Sequence, residues 1–152
     1  MAGNSEKVTG GCFCGAVRYE ARVYLADAYY CHCRMCQKSS GAPAEIAVFV
    51  EPGSLAFTKG KPKFYQTSHF GERGFCADCG SRLIWKCIGD AHPEYTNLSV
   101  GCLDAPERVA PASHQCVESQ LPWYRFDDGL PRLRSEEIPE LAELWAGATK
   151  SS

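Results

Sequence analysis

Gly10-Gly11-Cys12-Phe13-Cys14-Gly15 sets two thiols one residue apart between glycines. Glycine lets the backbone turn sharply enough to aim both sulfurs at one point. Farther along, Cys76-Ala77-Asp78-Cys79-Gly80 repeats the device with a two-residue gap. A closed structural zinc site takes four protein ligands, so the two pairs together fill one tetrahedron. The pairs lie far apart in sequence, and an ion shared between them clips the start of the chain to its middle. Such a clip is worth on the order of 10 kcal/mol in a small domain. Cys12, Cys14, Cys76 and Cys79 are therefore expected to staple the fold.

Between the pairs lies Cys31-His32-Cys33-Arg34-Met35-Cys36, three thiols in six residues with no fourth cysteine beside them. His32, flanked by two ligands, is expected to point away from a metal. His69, His92, His114, Cys87, Cys102 and Cys116 can reach the cluster only through folding. Two readings stay open on spacing alone. If one of those residues completes the set, the site is a second staple. If the fourth corner is free, Cys31, Cys33 and Cys36 hold a reactive zinc. A thiol reaching that ion loses its proton and becomes a nucleophile at neutral pH, suited to adding to an aldehyde or leaving a hemithioacetal.

The totals narrow the class. With 152 residues, 45% hydrophobic and 22% charged, the chain suits one folded domain. Its net charge of −2 gives no basic field for nucleic acid or an anionic membrane. No apolar run approaches the roughly 20 residues a membrane helix needs. The polar opening residues resemble no signal peptide, which leads to the expectation of a reducing cytoplasm. Ten cysteines could instead form disulfides, but bridges between residues so close in sequence are strained and close almost no loop.

Along the chain the pattern is mostly strand. Residues 16–23 place β-branched and aromatic side chains on one parity. Ala28-Tyr29-Tyr30, Glu45-Ile46-Ala47-Val48-Phe49-Val50, Arg82-Leu83-Ile84-Trp85-Lys86 and Tyr95-Thr96-Asn97-Leu98-Ser99-Val100 read as further strands. Leu55-Ala56-Phe57-Thr58 and Phe64-Tyr65-Gln66-Thr67, around Lys59-Gly60-Lys61-Pro62, read as a hairpin. One short helix is expected within Cys33 to Ser40, ending at Gly41. Ile138, Leu141, Leu144 and Trp145 recur at helical spacing, which predicts an amphipathic C-terminal helix over 134–147 capped at Ser135, with Pro139 in its first turn. Residues 1–7 and 148–152 are expected to be flexible around a zinc-binding domain over 8–133.

Gly10 to Tyr19, Cys31 to Cys36 and Phe75-Cys76-Ala77-Asp78-Cys79-Gly80-Ser81-Arg82-Leu83, with Gly101-Cys102-Leu103-Asp104 and Leu121-Pro122-Trp123-Tyr124, resemble the glutathione-dependent formaldehyde-activating enzyme family, which also includes centromere protein V. The resemblance spans roughly Val8 to Leu133 and keeps all seven motif cysteines in order. It implies a mainly β "tent" of several small coiled antiparallel sheets, with short helices and a C-terminal helix. It implies two zinc ions per chain, a structural one on Cys12, Cys14, Cys76 and Cys79 and a catalytic one on Cys31, Cys33 and Cys36. The implied activity is that of a carbon–sulfur lyase joining formaldehyde and glutathione as S-hydroxymethylglutathione. The partners would then be a small-molecule thiol, with glutathione as cosubstrate, and an aldehyde.

Arg34, Lys38 and Arg73 lie near the clusters and can serve an anionic thiol, although solvated surface charge is the ordinary role of such residues. Met35 and Gln37 neighbour the same site. Two other functions fit the cysteines: a non-catalytic zinc-stabilised binding module, and a thiol redox sensor built on the Cys31–Cys36 cluster.

Overall fold

Val17, Tyr19, Ala21 and Val23, the apolar parity of residues 16–23, are all buried, and the residues from Arg18 form a strand. The computed structural model describes residues 3–148. In chain order the first elements are β1 (Glu6–Gly11), β2 (Arg18–Val23), β3 (Tyr29–Cys31), α1 (Arg34–Ser40), β4 (Glu45–Phe49) and β5 (Ala56–Lys59). There follow β6 (Lys63–Ser68), β7 (Gly71–Phe75), β8 (Arg82–Cys87), β9 (Thr96–Ser99), β10 (Ser113–Gln115), β11 (Arg132–Leu133) and α2 (Pro139–Ala148).

The architecture is mainly β, as expected, in two sheets. A small antiparallel sheet has the order β1-β2-β5. A long one runs β11-β10-β3-β4-β9-β8-β7-β6, with β10 parallel to both β3 and β11 and the other pairs antiparallel. Val8, Tyr19, Ala21 and Val23 of the small sheet pack on Val48, Leu83, Ile84 and Leu98 of the long one to form the main core. A single bridge from Val23 to Val50 ties the sheets at their margin, and another joins Gly10 to Leu103 in the loop beyond β9.

Three expectations are corrected. The hairpin over 55–67 is absent, because β5 pairs with β2 and β6 with β7. The intervening turn carries the chain from one sheet to the other. Gly60 makes the crossing possible: it has φ 57°, and a Cβ there would sit 2.2 Å from the Ala16 carbonyl oxygen. The amino-terminal flexible segment ends earlier than residue 7, since Glu6 and Lys7 already pair with Val23 and Arg22. The C-terminal helix also starts later. Ser135–Glu137 is a 3-10 turn, and the α-helix opens at Pro139, whose missing N–H suits a first position. The tail expected over 148–152 lies, past Ala148, outside the described residues. The helix over Cys33 to Ser40 is α1, closed by Gly41 at φ 73°.

Candidate metal centres and their cavity

Gly15 and Gly80, at φ 79° and 77°, turn the two outer cysteine loops in the same way. In each loop the first cysteine donates its N–H to a carbonyl five residues on, Cys12 to Val17 at 3.0 Å and Cys76 to Ser81 at 2.9 Å. The four sulfurs all lie within 4.8 Å of one another. Cys12 Sγ is 3.6 Å from Cys14 Sγ, which is 3.8 Å from Cys76 Sγ. A tetrahedron with zinc–sulfur bonds of about 2.3 Å has edges of about 3.8 Å, so these spacings fit a zinc ion. The Val17 N–H donates to Cys12 Sγ at 3.2 Å, and Ser81, through its hydroxyl and backbone, holds the Cys79 thiol down to about 6. Both effects favour the thiolate that a metal requires.

The second cluster forms where β3 runs into α1. Cys31, Cys33 and Cys36 also have sulfurs within 4.8 Å of one another, and among the described residues no histidine or carboxylate joins the set. Cys33 caps α1, its sulfur accepting the Cys36 N–H at 3.3 Å. Three thiolates fit a zinc ion as the outer four do. The cluster lines a cavity of about 360 Å³ whose walls include Phe49, Phe70, Trp85 and Tyr95, with α2 contributing Leu141 and Leu144.

His32 points away from the sulfurs, as expected. Its ring is fully buried, with Nε2 2.9 Å from His114 Nδ1, and His114 Nε2 lies 2.8 Å from Asp128 Oδ2. The proton placement follows from the partners. Asp128 accepts from His114 Nε2–H, so His114 Nδ1 accepts from His32 Nε2–H. His32 Nδ1 then keeps a bare lone pair, in accord with its lack of any hydrogen-bond partner. Burial, with His114 and Arg132 nearby, lowers the His32 ring to about 4.

The other distant residues separate clearly. His69 bonds to the Leu144 carbonyl, and His92 stacks on Tyr95 and meets Glu143. Cys87 packs with Phe70 and Leu144, and the Cys102 thiol donates to the Arg82 carbonyl. Cys116 alone of the six reaches the open cluster. The parallel register Cys31 to Gln115 brings it there, where it packs with Cys31, Cys33 and Cys36. The crowding divides their acidities: Cys31 is pushed well up by Cys116, Cys33 and Cys36, while Cys116 is held down to about 4 by Cys31 and Cys33.

Of the three basic residues, Arg34 bonds to Gln37 and Lys38 stays exposed on α1. Arg73 departs from the surface role expected of it. It is 5% exposed, lines the cavity, bonds to Thr67 Oγ1, and donates from Nη2 to Cys36 Sγ at 3.5 Å. Its Nε–H has no hydrogen-bond partner. Met35 lines the cavity, whereas Gln37 ties the His32 carbonyl to that of Ser119. The buried Arg82–Glu45 ion pair, a further wall of the cavity, had no local sequence signal.

The pattern of the glutathione-dependent formaldehyde-activating enzyme family matches residues 7–119. The chain belongs to this family. Membership supports a glutathione-related role in aldehyde activation or lyase chemistry. An uncharacterized lyase of Schizosaccharomyces pombe is 22% identical over 129 residues, covering 85% of this chain and 92% of its own. A Rhodobacter sphaeroides protein of known crystal structure is 24% identical, with a TM-score of 0.52 over 82% of this chain and 98% of that one. It shares the fold. Among the described residues, no helix is long and apolar enough to cross a membrane.

Proposed function

We propose that the chain is a zinc-dependent carbon–sulfur lyase acting on the adduct of a glutathione-like thiol and a small aldehyde, such as S-hydroxymethylglutathione. The observation that carries this reading is the trio Cys31, Cys33 and Cys36 on the wall of a largely apolar cavity with a buried arginine beside it. In this reading two zinc ions are bound per chain. Cys12, Cys14, Cys76 and Cys79 hold the structural one, and Cys31, Cys33 and Cys36 hold the catalytic one. The Schizosaccharomyces pombe relative, described as a lyase, supports the reaction class.

Zinc at the trio supplies a cation that favours the thiolate form of an added thiol. The rest falls to the chain. The aromatic and aliphatic walls exclude water and hold the thiol and the aldehyde together, which lowers the entropic part of the barrier. Arg73, with its unpartnered Nε–H, offers a donor to a carboxylate of the thiol or to oxygen that gains charge. In the forward direction a carbon–sulfur bond forms and the thiol proton ends on the former carbonyl oxygen. A reducing cytoplasm, with its thiol pool, suits both the free cysteines and this cosubstrate.

Exchange NMR on mixtures of glutathione and formaldehyde tests the reading. The zinc-loaded protein is expected to raise the exchange rate above the spontaneous one, and Cys33→Ala to abolish the increment. Equal rates with and without the native protein would remove formaldehyde as the substrate.

A further inference from the structure

Cys116 is the one non-glycine residue with positive φ among those described, at φ 58° and ψ 41°. That conformation costs a residue with a side chain about 1 kcal/mol, and the neighbouring contacts keep it in place. The N–H of Ser119 donates to its carbonyl at 3.1 Å, and β10 pairs in parallel with β3 up to Gln115, opposite Cys31. The residue is 3% exposed, lines the same cavity as the trio, and packs in one buried cluster with Cys31, Cys33 and Cys36. It is outside the mutual 4.8 Å set formed by Cys31, Cys33 and Cys36. It therefore packs beside the trio without joining its mutual set.

We infer that Cys116 is a displaceable fourth ligand: it completes the sulfur set around the second ion at rest, and the substrate thiol takes its place. This rests on the lyase reading for the identity of the incoming thiol. The exchange balances without a redox partner. The arriving thiol gives its proton to the departing Cys116 sulfur, one metal–sulfur bond breaks and one forms, and the charge at the site is unchanged. A resting site closed by four thiolates is guarded against water and adventitious ligands. Cys116, packed in the same cluster as Cys31 and Cys33, returns once product leaves.

Cobalt(II) substituted for zinc in the full chain reads sulfur ligation directly through its sulfur-to-metal charge-transfer absorption. The comparison is native protein against Cys116→Ala and Cys116→Gly, the glycine variant retaining the left-handed turn without strain. With two ions bound, four sulfurs at each site give eight in all, so either variant is expected to lose about one-eighth of the absorption. Glutathione is expected to restore that loss in the variants and to leave the native intensity nearly unchanged. Two ions bound with undiminished intensity in both variants would overturn the inference while leaving an open-site lyase intact. A loss that glutathione fails to restore would make the site a fixed staple and overturn both readings. A single ion per chain in the native protein would do the same.

Discussion

Arg73 Nη2 stands 3.5 Å from Cys36 Sγ, so β7 delivers a buried guanidinium to a sulfur carried by α1. A cation here offsets part of the negative charge of three clustered thiolates and leaves one N–H for a ligand. Replacing Arg73 by Met removes both functions, whereas Lys keeps the charge and loses the planar fork. A charge-assisted hydrogen bond is worth about 1.5–3 kcal/mol. Arg73→Met is therefore expected to weaken glutathione binding about tenfold or more, with Arg73→Lys intermediate. Titration calorimetry, with metal content measured on the same samples, checks this. Equal affinity in all three proteins would release Arg73 from thiol binding.

The outer cysteines carry a prediction about stability. Cys76 is 1% exposed and joins the β7–β8 turn to the β1–β2 turn through the sulfur of Cys14. If the proposed two zinc ions are bound, Cys76→Ser is expected to remove one of them and to cost several kcal/mol, on the order of a structural zinc's contribution. Elemental analysis and chemical denaturation measure the two effects. A strong chelator is expected to unfold the native protein at a temperature where the zinc-loaded form is stable.

The convergence of the outer cysteines was legible because its information is local: cysteine spacing and adjacent glycines set the turn at Gly15 and at Gly80 without help from the rest of the chain. The same holds for β2, whose alternate residues Tyr19, Ala21 and Val23 are buried, and for α1 with its Gly41 cap. Where partners come from afar, local pattern fails. β5 and β6 have strand composition, but the choice of partner lies with β2 and β7. β7 itself, Gly71-Glu72-Arg73-Gly74-Phe75, has little β-propensity and exists because β6 and β8 flank it. Arg73 reaches the cavity by that route, and Cys116 reaches the trio through the three-residue strand β10. No residue beside either one signals its destination.

His32 makes acid stability measurable. Burial lowers its ring from 6.5 to about 4 in the folded protein. Between those values the unfolded chain binds the extra proton, so stability falls as pH drops from about 6.5 toward 4 and is unaffected by this group above that window. The loss is on the order of 3 kcal/mol across the window, roughly 2 of it between pH 7 and pH 5. His32→Gln, whose side chain does not titrate, is expected to show a flatter profile than the native protein once the separate effect of metal release is followed by zinc analysis. Denaturant midpoints for both proteins at pH 7 and pH 5 give the comparison. Parallel profiles would mean that the ring is protonated in the folded state as readily as in the unfolded one.

The last prediction concerns the cover of the cavity. Leu144 is 6% exposed, packs with Phe70 and Cys87, and accepts a hydrogen bond at its carbonyl from His69. Trp145 adds an edge-to-face contact with Phe70 at 5.2 Å. The helix is ten residues long, so little of its stability is intrinsic and most comes from this docking. Leu144→Ala removes about 2–5 kcal/mol of packing, enough to release α2 while the sheets stay folded. Hydrogen exchange over 139–148 is then expected to accelerate at least tenfold, with the amides of β8 and β9 unchanged. With the cover loosened, the variant is expected to accept thiols bulkier than those the native protein uses. Uniform acceleration across both sheets would instead make α2 part of the cooperative core, and the cavity's cover would then open only when the whole domain unfolds.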